Sequence, residues 1–556
     1  MTVTSSCDFY VTSYHKHTET TDVIGVVTQH VEEFSDGTKT VENRLKFYND
    51  PKRPYWITKP QFRDHEFKKE FESIDKCDMH ICRDSDLERD LSASLGYPTW
   101  GRIRPLRQLC SSPYVYGADI PTETLVKQAI MHKVPVGKIA NYSKGGFDIE
   151  SEVTGEKRIN VITFIHEHEI FTCALREYCE IWDVPGDPKS YHHPATEDDV
   201  RAVIDRLLGS YLHKHQFNVT FKICDTELDL IKWIFAQIHK CKTNYIGIWN
   251  MGFDIPKIIE RIEALGADPE AIMCHPEVPK AYRYVKWFED KATVAHFTDK
   301  WHWVSIAGYS QFVDSMCLYA RLRKVNGRDS SYSLDAISNK ELGQGKLHFG
   351  DITNHSYQQR YNFLEYIAYN INDVMIMMLM EWKNSDLSAL SGLCGVSTPR
   401  EFSRQTAMLR NDAYVYARSK GYVPASAALT MFGKVDKSVG KAGGTVLPPN
   451  KATGVGISAT KELAGLDTMV SVLANDLDYT SMYPSFMKTA NISRETELMT
   501  AISVNGYPLR DIEKLFSNLL IPEVGAIEVA TYFYELPSYT GMAKDFDQYL
   551  ASKNKD

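Results

Sequence analysis

No apolar run in the sequence approaches the ~18 residues that would suggest a membrane span. The opening residues, Met1-Thr2-Val3-Thr4-Ser5-Ser6, also lack the basic and then apolar pattern of a secretory signal. Both absences lead us to expect a soluble, cytoplasmic protein without a membrane partner. The eleven cysteines lack the regular spacing of a disulfide framework, so reduced thiols are expected. Cys77, His80 and Cys82 are close in sequence, but no second pair at finger-like spacing accompanies them, which weighs against a structural zinc site. A surplus of positive charge is missing too: the formal net charge is -9. Any polyanion would have to be met by local basic stretches such as Lys52 to Arg63 and Arg321 to Arg328, or by a partner chain. Internal repeats and long low-complexity segments are likewise lacking.

What is present is ordinary globular usage, 43% apolar and 24% charged residues. With 556 residues the chain exceeds what one hydrophobic core accommodates, so several domains are expected. Residues 1–142 mix β-type runs such as Phe9-Tyr10-Val11-Thr12 with a charged stretch around Phe67 to Asp75 that could be helical, and form a mixed N-terminal domain. In residues 143–385, β-rich runs (Asn160 to Phe164, Asn244 to Trp249) alternate with helical ones (Thr226 to Cys241, Pro256 to Leu265), which favours an α/β layer architecture within an α+β multidomain chain. Residues 386–429 form a helical return segment, and 430–556 a last domain set off by Gly440-Lys441-Ala442-Gly443-Gly444 and Pro448-Pro449. The His166/His168 and His192/His193 pairs suit exposed strand edges or turns.

Carboxylates provide the chemistry. Phe147-Asp148-Ile149-Glu150 follows a Gly145-Gly146 break, and on a strand its period of two puts Asp148 and Glu150 on one face, a geometry that suits a divalent cation. Asp-x-Glu alone equally describes an exposed strand edge. In Tyr245 to Asp254 an apolar strand runs through a polar turn into a helix, and Asp254 falls outside the carboxyl end of that strand, where α/β folds gather functional groups. Asn250, four residues ahead of it, could orient a nucleic acid. In Tyr366-Ile367-Ala368-Tyr369-Asn370-Ile371-Asn372-Asp373, Tyr369 and Asp373 stand at i and i+4 and share a helix face.

Together these stretches resemble the three motifs of the DnaQ-like 3′-5′ exonucleases in the form carried by family B DNA polymerases, in the family's order. The resemblance implies an RNase H-like exonuclease domain. It further implies that Asp148, Glu150, Asp254 and Asp373 hold two Mg²⁺ or Mn²⁺ ions, through which an attacking water is acidified and the leaving 3′ oxygen stabilised. Tyr369 would position that water, while Phe147 and Asn250 would contact DNA. Ser331 to Asp335, Gly343 to Leu347 and Gln359-Arg360-Tyr361 are similar to the polymerases of T-even-type bacteriophages, which would make the compartment a host-cell cytoplasm. Asp314 sits where that family carries an acidic residue, and no catalytic role is assigned to it.

Asp478-Tyr479-Thr480-Ser481-Met482-Tyr483-Pro484-Ser485 resembles motif A of the same family. The resemblance implies that Asp478 binds metal, Ser481 and Met482 face the incoming triphosphate, and Tyr483 packs under its sugar as a steric filter. Gly443 and Gly444 fall where the family contacts template DNA, with Lys441 where Tyr is usual, which puts the coupling of synthesis to editing in doubt. A fingers helix with KxxxNSxYG and a YGDTDS-like hairpin are both lacking.

The expected protein is therefore the N-terminal subunit of a split, phage-like family B DNA polymerase. It would carry the exonuclease and an incomplete palm, acting on primer-template DNA and its single-stranded 3′ end. A C-terminal partner chain would supply fingers, remaining palm and thumb, dNTP would bind in the assembled enzyme, and a sliding clamp would be reached through that partner. Two alternatives stay open: a free-standing 3′-5′ exonuclease with a vestigial palm, and a non-catalytic DNA-binding scaffold.

Overall fold

The computed structural model describes residues 2–426, apart from 19–20, 64–67, 70, 101–102, 136–137, 292–295, 325–326, 348–353, 393–395 and the side chains of 391–392, 400 and 405. The expectations for Gly443, Gly444, Asp478, Ser481, Met482 and Tyr483 lie outside the described residues. The chain divides into two compact units.

The first unit comprises residues 1–54, 81–90 and 120–416. It begins with an antiparallel three-stranded sheet, β1 (Val3–His17), β2 (Asp22–Phe34) and β3 (Lys39–Asn49). Six further strands form a mixed sheet: β4 (Lys144–Ser151), β5 (Ile159–His166), β6 (Glu169–Leu175), β7 (Asn218–Cys224), β8 (Tyr245–Ile248) and β9 (Gln311–Asp314). Their order across the sheet is β7-β6-β5-β4-β8-β9. Strands β4, β8 and β9 run parallel, and β5 is antiparallel to both its neighbours.

The long helices are α1 (Glu197–His215), α2 (Glu227–Cys241), α3 (Met251–Ala264) and α6 (Phe363–Asn384), with the shorter α4 (Ser315–Leu322) and α5 (Leu334–Leu342) between. Helix α1 starts on a capping box between Thr196 and Asp199, and the Thr226 hydroxyl caps α2 by accepting from Asp229 N at 3.1 Å. Alternation along β5 divides the core in two. Val161 and Ile165 pack with the apolar residues of α1 and α6, whereas Ile162 and Phe164 pack with those of α2 and α3. The sheet is thus covered by helices on both faces.

Helix α3 is fixed by a buried ion pair, in which Arg261 Nη2 and Nε donate to Glu227 at 2.7 and 2.8 Å while Glu227 also accepts from Ile159 N at 2.8 Å. Removing one partner of such a pair strands a buried charge and costs ~3–5 kcal/mol. The N-terminal sheet is joined to the six-stranded one by polar contacts: Tyr245 Oη donates to Val11 O at 2.8 Å and Thr12 Oγ1 to Gln311 Oε1 at 2.7 Å.

The second unit comprises 55–80, 91–119 and 417–556, described as far as 426. In it Phe71–Ser73 pairs antiparallel with Tyr422–Pro424, Trp56 and Ile57 pair with Tyr116 and Val115, and the Arg418 guanidinium lies 4.7 Å over the Trp56 ring.

Three local expectations change. The helix expected around 67–75 is instead a strand at Phe71–Ser73 followed by a single 3-10 turn at Ile74–Lys76, because pairing with a segment some 350 positions away outweighs local charge pattern. His166 is half-buried rather than exposed, with Nδ1 2.8 Å from Thr243 Oγ1. Gly145-Gly146 is no break but part of β4. A Cβ on Gly145 would lie 2.3 Å from the Ile165 carbonyl oxygen, and one on Gly146 3.2 Å from Val374 Cγ1 of α6. Gly145→Ala should therefore destabilise the fold by ~1–3 kcal/mol through a clash with backbone that cannot rotate away, read as a lower urea midpoint at unchanged slope. A midpoint equal to that of the unaltered chain would show that the strands separate freely here.

Candidate metal centre

The site lies where the parallel strands end. Strand β8 pairs with β4 only up to Ile248 opposite Phe147, so beyond that point the β4 edge has no strand beside it on that side among the described residues. The chain leaves β8 through Asn250, whose left-handed backbone (φ 67°) turns it into α3. That turn brings Asp254, in the first turn of α3, to the open edge, where its Oδ1 accepts from Ile149 N at 3.3 Å. On β4 itself Phe147 and Ile149 point into the core with α2 and α3, which leaves Asp148 and Glu150 on the opposite face, toward α6. One oxygen each from Asp148, Glu150 and Asp373 lie within 4.8 Å of one another.

Helix α6 delivers the rest. Tyr366, Tyr369, Asn370 and Asp373 recur at i, i+3, i+4 and i+7 and so form one stripe on a largely apolar, mostly buried helix. Tyr366 Oη donates to Glu150 Oε2 at 2.5 Å, and Asn370 Nδ2 donates to Asp148 Oδ2 at 2.6 Å. Lys346 reaches in from the segment after α5, donating to Tyr369 Oη at 2.8 Å and to Asp373 Oδ2. Sequence reasoning missed Tyr366, Asn370 and Lys346 as site residues. The stripe of polar side chains in an apolar helix was the available signal for the first two.

Four carboxylates beside one ammonium leave a strong excess of negative charge among the described residues. Burial and the charges of Asp254, Glu150 and Asp373 push Asp148 far above the usual carboxylate range. Asp254, only 3% exposed, is raised in the same way, by burial against the opposing pull of the Ile149 amide. Burial also raises Glu150, despite its bond from Tyr366, and lifts Asp373 to about 7 against the pull of Lys346. Burial opposes charge on Lys346, but Asp373, Tyr369 and Asp148 outweigh it and hold the lysine firmly protonated.

The donor set fits hard divalent cations. It is all carboxylate oxygen, the residue types that bind Mg²⁺ or Mn²⁺, and Asp373 Oδ1 is buried with no hydrogen-bond partner among the described residues. Asn370 and Tyr366 already hold one oxygen each of Asp148 and Glu150, as partners of ligating carboxylates do.

Two expected site residues stand apart from this cluster. Phe147 is fully buried and meets Phe312 edge-on, because the alternation that turns Asp148 toward the site turns the ring of its neighbour into the core. Asn250 is exposed at the mouth of α3, next to Phe253, which is 51% exposed. Asp314 accepts from Cys317 N at 2.9 Å and Met251 N at 3.1 Å, so it caps α4 and sets the start of α3.

No protein-family model matches the chain, and no curated protein matches it.

The pKa directions set a pH dependence. A carboxyl whose folded pKa exceeds its unfolded value near ~3.9 stabilises the metal-free fold below that value and loses this contribution as pH rises through the folded pKa. In EDTA, the melting-temperature advantage of the unaltered chain over Asp373→Asn should shrink as pH rises from about 4 to beyond about 7, and Mg²⁺ should restore it at the upper end. A difference that is flat across this range, with and without Mg²⁺, would show that Asp373 is not crowded by charge.

Proposed function

We propose that this chain is a metal-dependent 3′-5′ DNA exonuclease with an RNase H-like domain, the editing part of a phage-type family B DNA polymerase. The observation that carries the reading is the close approach of carboxylate oxygens from Asp148, Glu150 and Asp373, delivered by a strand and a helix, with Asp254 reaching the same strand through Ile149 N.

Asp148, Glu150, Asp254 and Asp373 would hold two Mg²⁺ or Mn²⁺ ions. When bound, such ions acidify water and neutralise charge developing on a phosphodiester. The chain's own residues prepare the site for that chemistry. Asn370 and Tyr366 fix the orientation of Asp148 and Glu150, so that little reorganisation remains when substrate arrives. Lys346 pins the Tyr369 hydroxyl, which orients the attacking water by hydrogen bonding. Asn250 and the exposed ring of Phe253 stand beside Asp254, where a frayed single-stranded 3′ end could be gripped by hydrogen bonding and base stacking.

The polymerase half of the reading rests on sequence resemblance, chiefly at Asp478 to Ser485 and Gly443-Gly444. Primer-template DNA, dNTP, a partner chain bearing fingers, remaining palm and thumb, and a clamp reached through it all belong to that half. One Asp of motif A does not hold two catalytic ions, so primer extension by this chain unaided is not expected.

The test is the full chain with Mg²⁺ on 5′-labelled single-stranded DNA and on a primed template, with and without dNTPs. Stepwise shortening from the 3′ end without extension is expected, and Asp148→Ala/Glu150→Ala should reduce it by at least ~10³-fold while the melting profile stays cooperative. Tyr366→Phe and Asn370→Ala should raise the Mg²⁺ concentration needed for half-maximal activity by ~10–100-fold. Shortening that survives the double substitution would remove the site assignment.

A further inference from the structure

A second cluster of metal-ligating side chains lies far along the sequence from the carboxylates, on the first hairpin. His15 and His17 stand two apart on β1 and therefore point to the same face, and the strand register sets His17 directly opposite Asp22 of β2. His15 Nε2 lies 2.6 Å and His17 Nδ1 3.6 Å from Asp22 Oδ1, and the donor atoms of the three residues all lie within 4.8 Å of one another. Asp22 is nearly buried, His15 mostly so, and His17 faces solvent, so the cluster has a fixed floor and an open side.

The surroundings are built as a metal's would be. The other ring nitrogen of His15 faces Asp84 Oδ2 at 3.8 Å, and Asp84 is itself held by Thr122 Oγ1 at 2.5 Å and Arg53 Nη1 at 3.2 Å. At that distance the Asp84 carboxylate is a charged neighbour of the ring rather than its hydrogen-bond partner. The free oxygen of Asp22 is oriented by Ser85 N at 3.3 Å.

We propose that His15 Nε2, His17 Nδ1 and Asp22 Oδ1 bind a borderline transition-metal ion of the Zn²⁺ class, clipping the end of the first hairpin. Two imidazoles and one carboxylate suit Zn²⁺ and its neighbours, whereas Mg²⁺ favours the all-oxygen cluster on β4, α3 and α6. The three protein ligands leave a coordination position for water on the open side. Ligation would replace the His15–Asp22 hydrogen bond, with the two groups separating slightly to admit the ion.

The test is Zn²⁺ titration of the full chain by calorimetry in saturating Mg²⁺, paired with Co²⁺ absorption, for the unaltered protein, His17→Ala and His17→Gln. The unaltered chain should bind one Zn²⁺ that both variants lose or bind at least ~100-fold more weakly. Its Co²⁺ form should show ligand-field bands without a thiolate charge-transfer band, and Mg²⁺-dependent activity should be the same in all three. Equal Zn²⁺ stoichiometry and affinity in the three proteins would overturn the proposal, because the hairpin cluster would then be an ordinary His–Asp hydrogen bond. A thiolate band in Co²⁺ that persists in the variants would also overturn it, by placing the ion on cysteines.

Discussion

Like charges withdrawn from water repel strongly, and the cluster formed by Asp148, Glu150, Asp254 and Asp373 exists only because the fold holds them in place against that repulsion. Each carboxylate is fixed by a different device. Asp148 and Glu150 ride on a strand whose other face is anchored by Phe147 and Ile149 in the core. Asp254 is carried by a helix tied down through Arg261 and Glu227, and Asp373 by a helix buried almost from end to end. Apolar packing on both faces of the sheet supplies the force that keeps four acids together.

Close packing explains the glycines and the sheet order. Strand β4 lies between β5 and β8; a Cβ at Gly145 would run into the β5 backbone, and one at Gly146 would press on side chains of β5 and α6. The early end of β8 is equally consequential. Had it continued alongside β4 past Phe147, its backbone would occupy the edge that Asp254 now takes through Ile149 N. The four carboxylates thus gather at the carboxyl end of β8, the side of an open α/β sheet on which ligands bind in other proteins.

Much of this was legible in the sequence, for identifiable reasons. The alternation of Phe147-Asp148-Ile149-Glu150 and the i, i+4 spacing of Tyr369 and Asp373 are local rules, and the structure places those residues as the rules require. The same alternation, carried one residue back, puts the Phe147 ring in the core. Lys346 was beyond local rules, since its bond to Asp373 spans 27 positions and no periodicity links a loop to a helix. The start of α3 was placed at Pro256 in the sequence but lies at Met251, because Asp314, 63 positions away, accepts the Met251 amide hydrogen and begins the helix a turn and more earlier. Strand Phe71–Ser73 was hidden for the same reason: its partner is distant.

The most direct test of the central claim is anomalous diffraction from crystals of the full chain equilibrated with Mn²⁺. We expect anomalous density enclosed by Asp148, Glu150, Asp254 and Asp373, with Asp373 Oδ1 among the ligands. Crystals saturated with Mn²⁺ that show no density there, with the four carboxylates still converging and Asp373 Oδ1 still unpartnered, would contradict the reading of this cluster as a cation site.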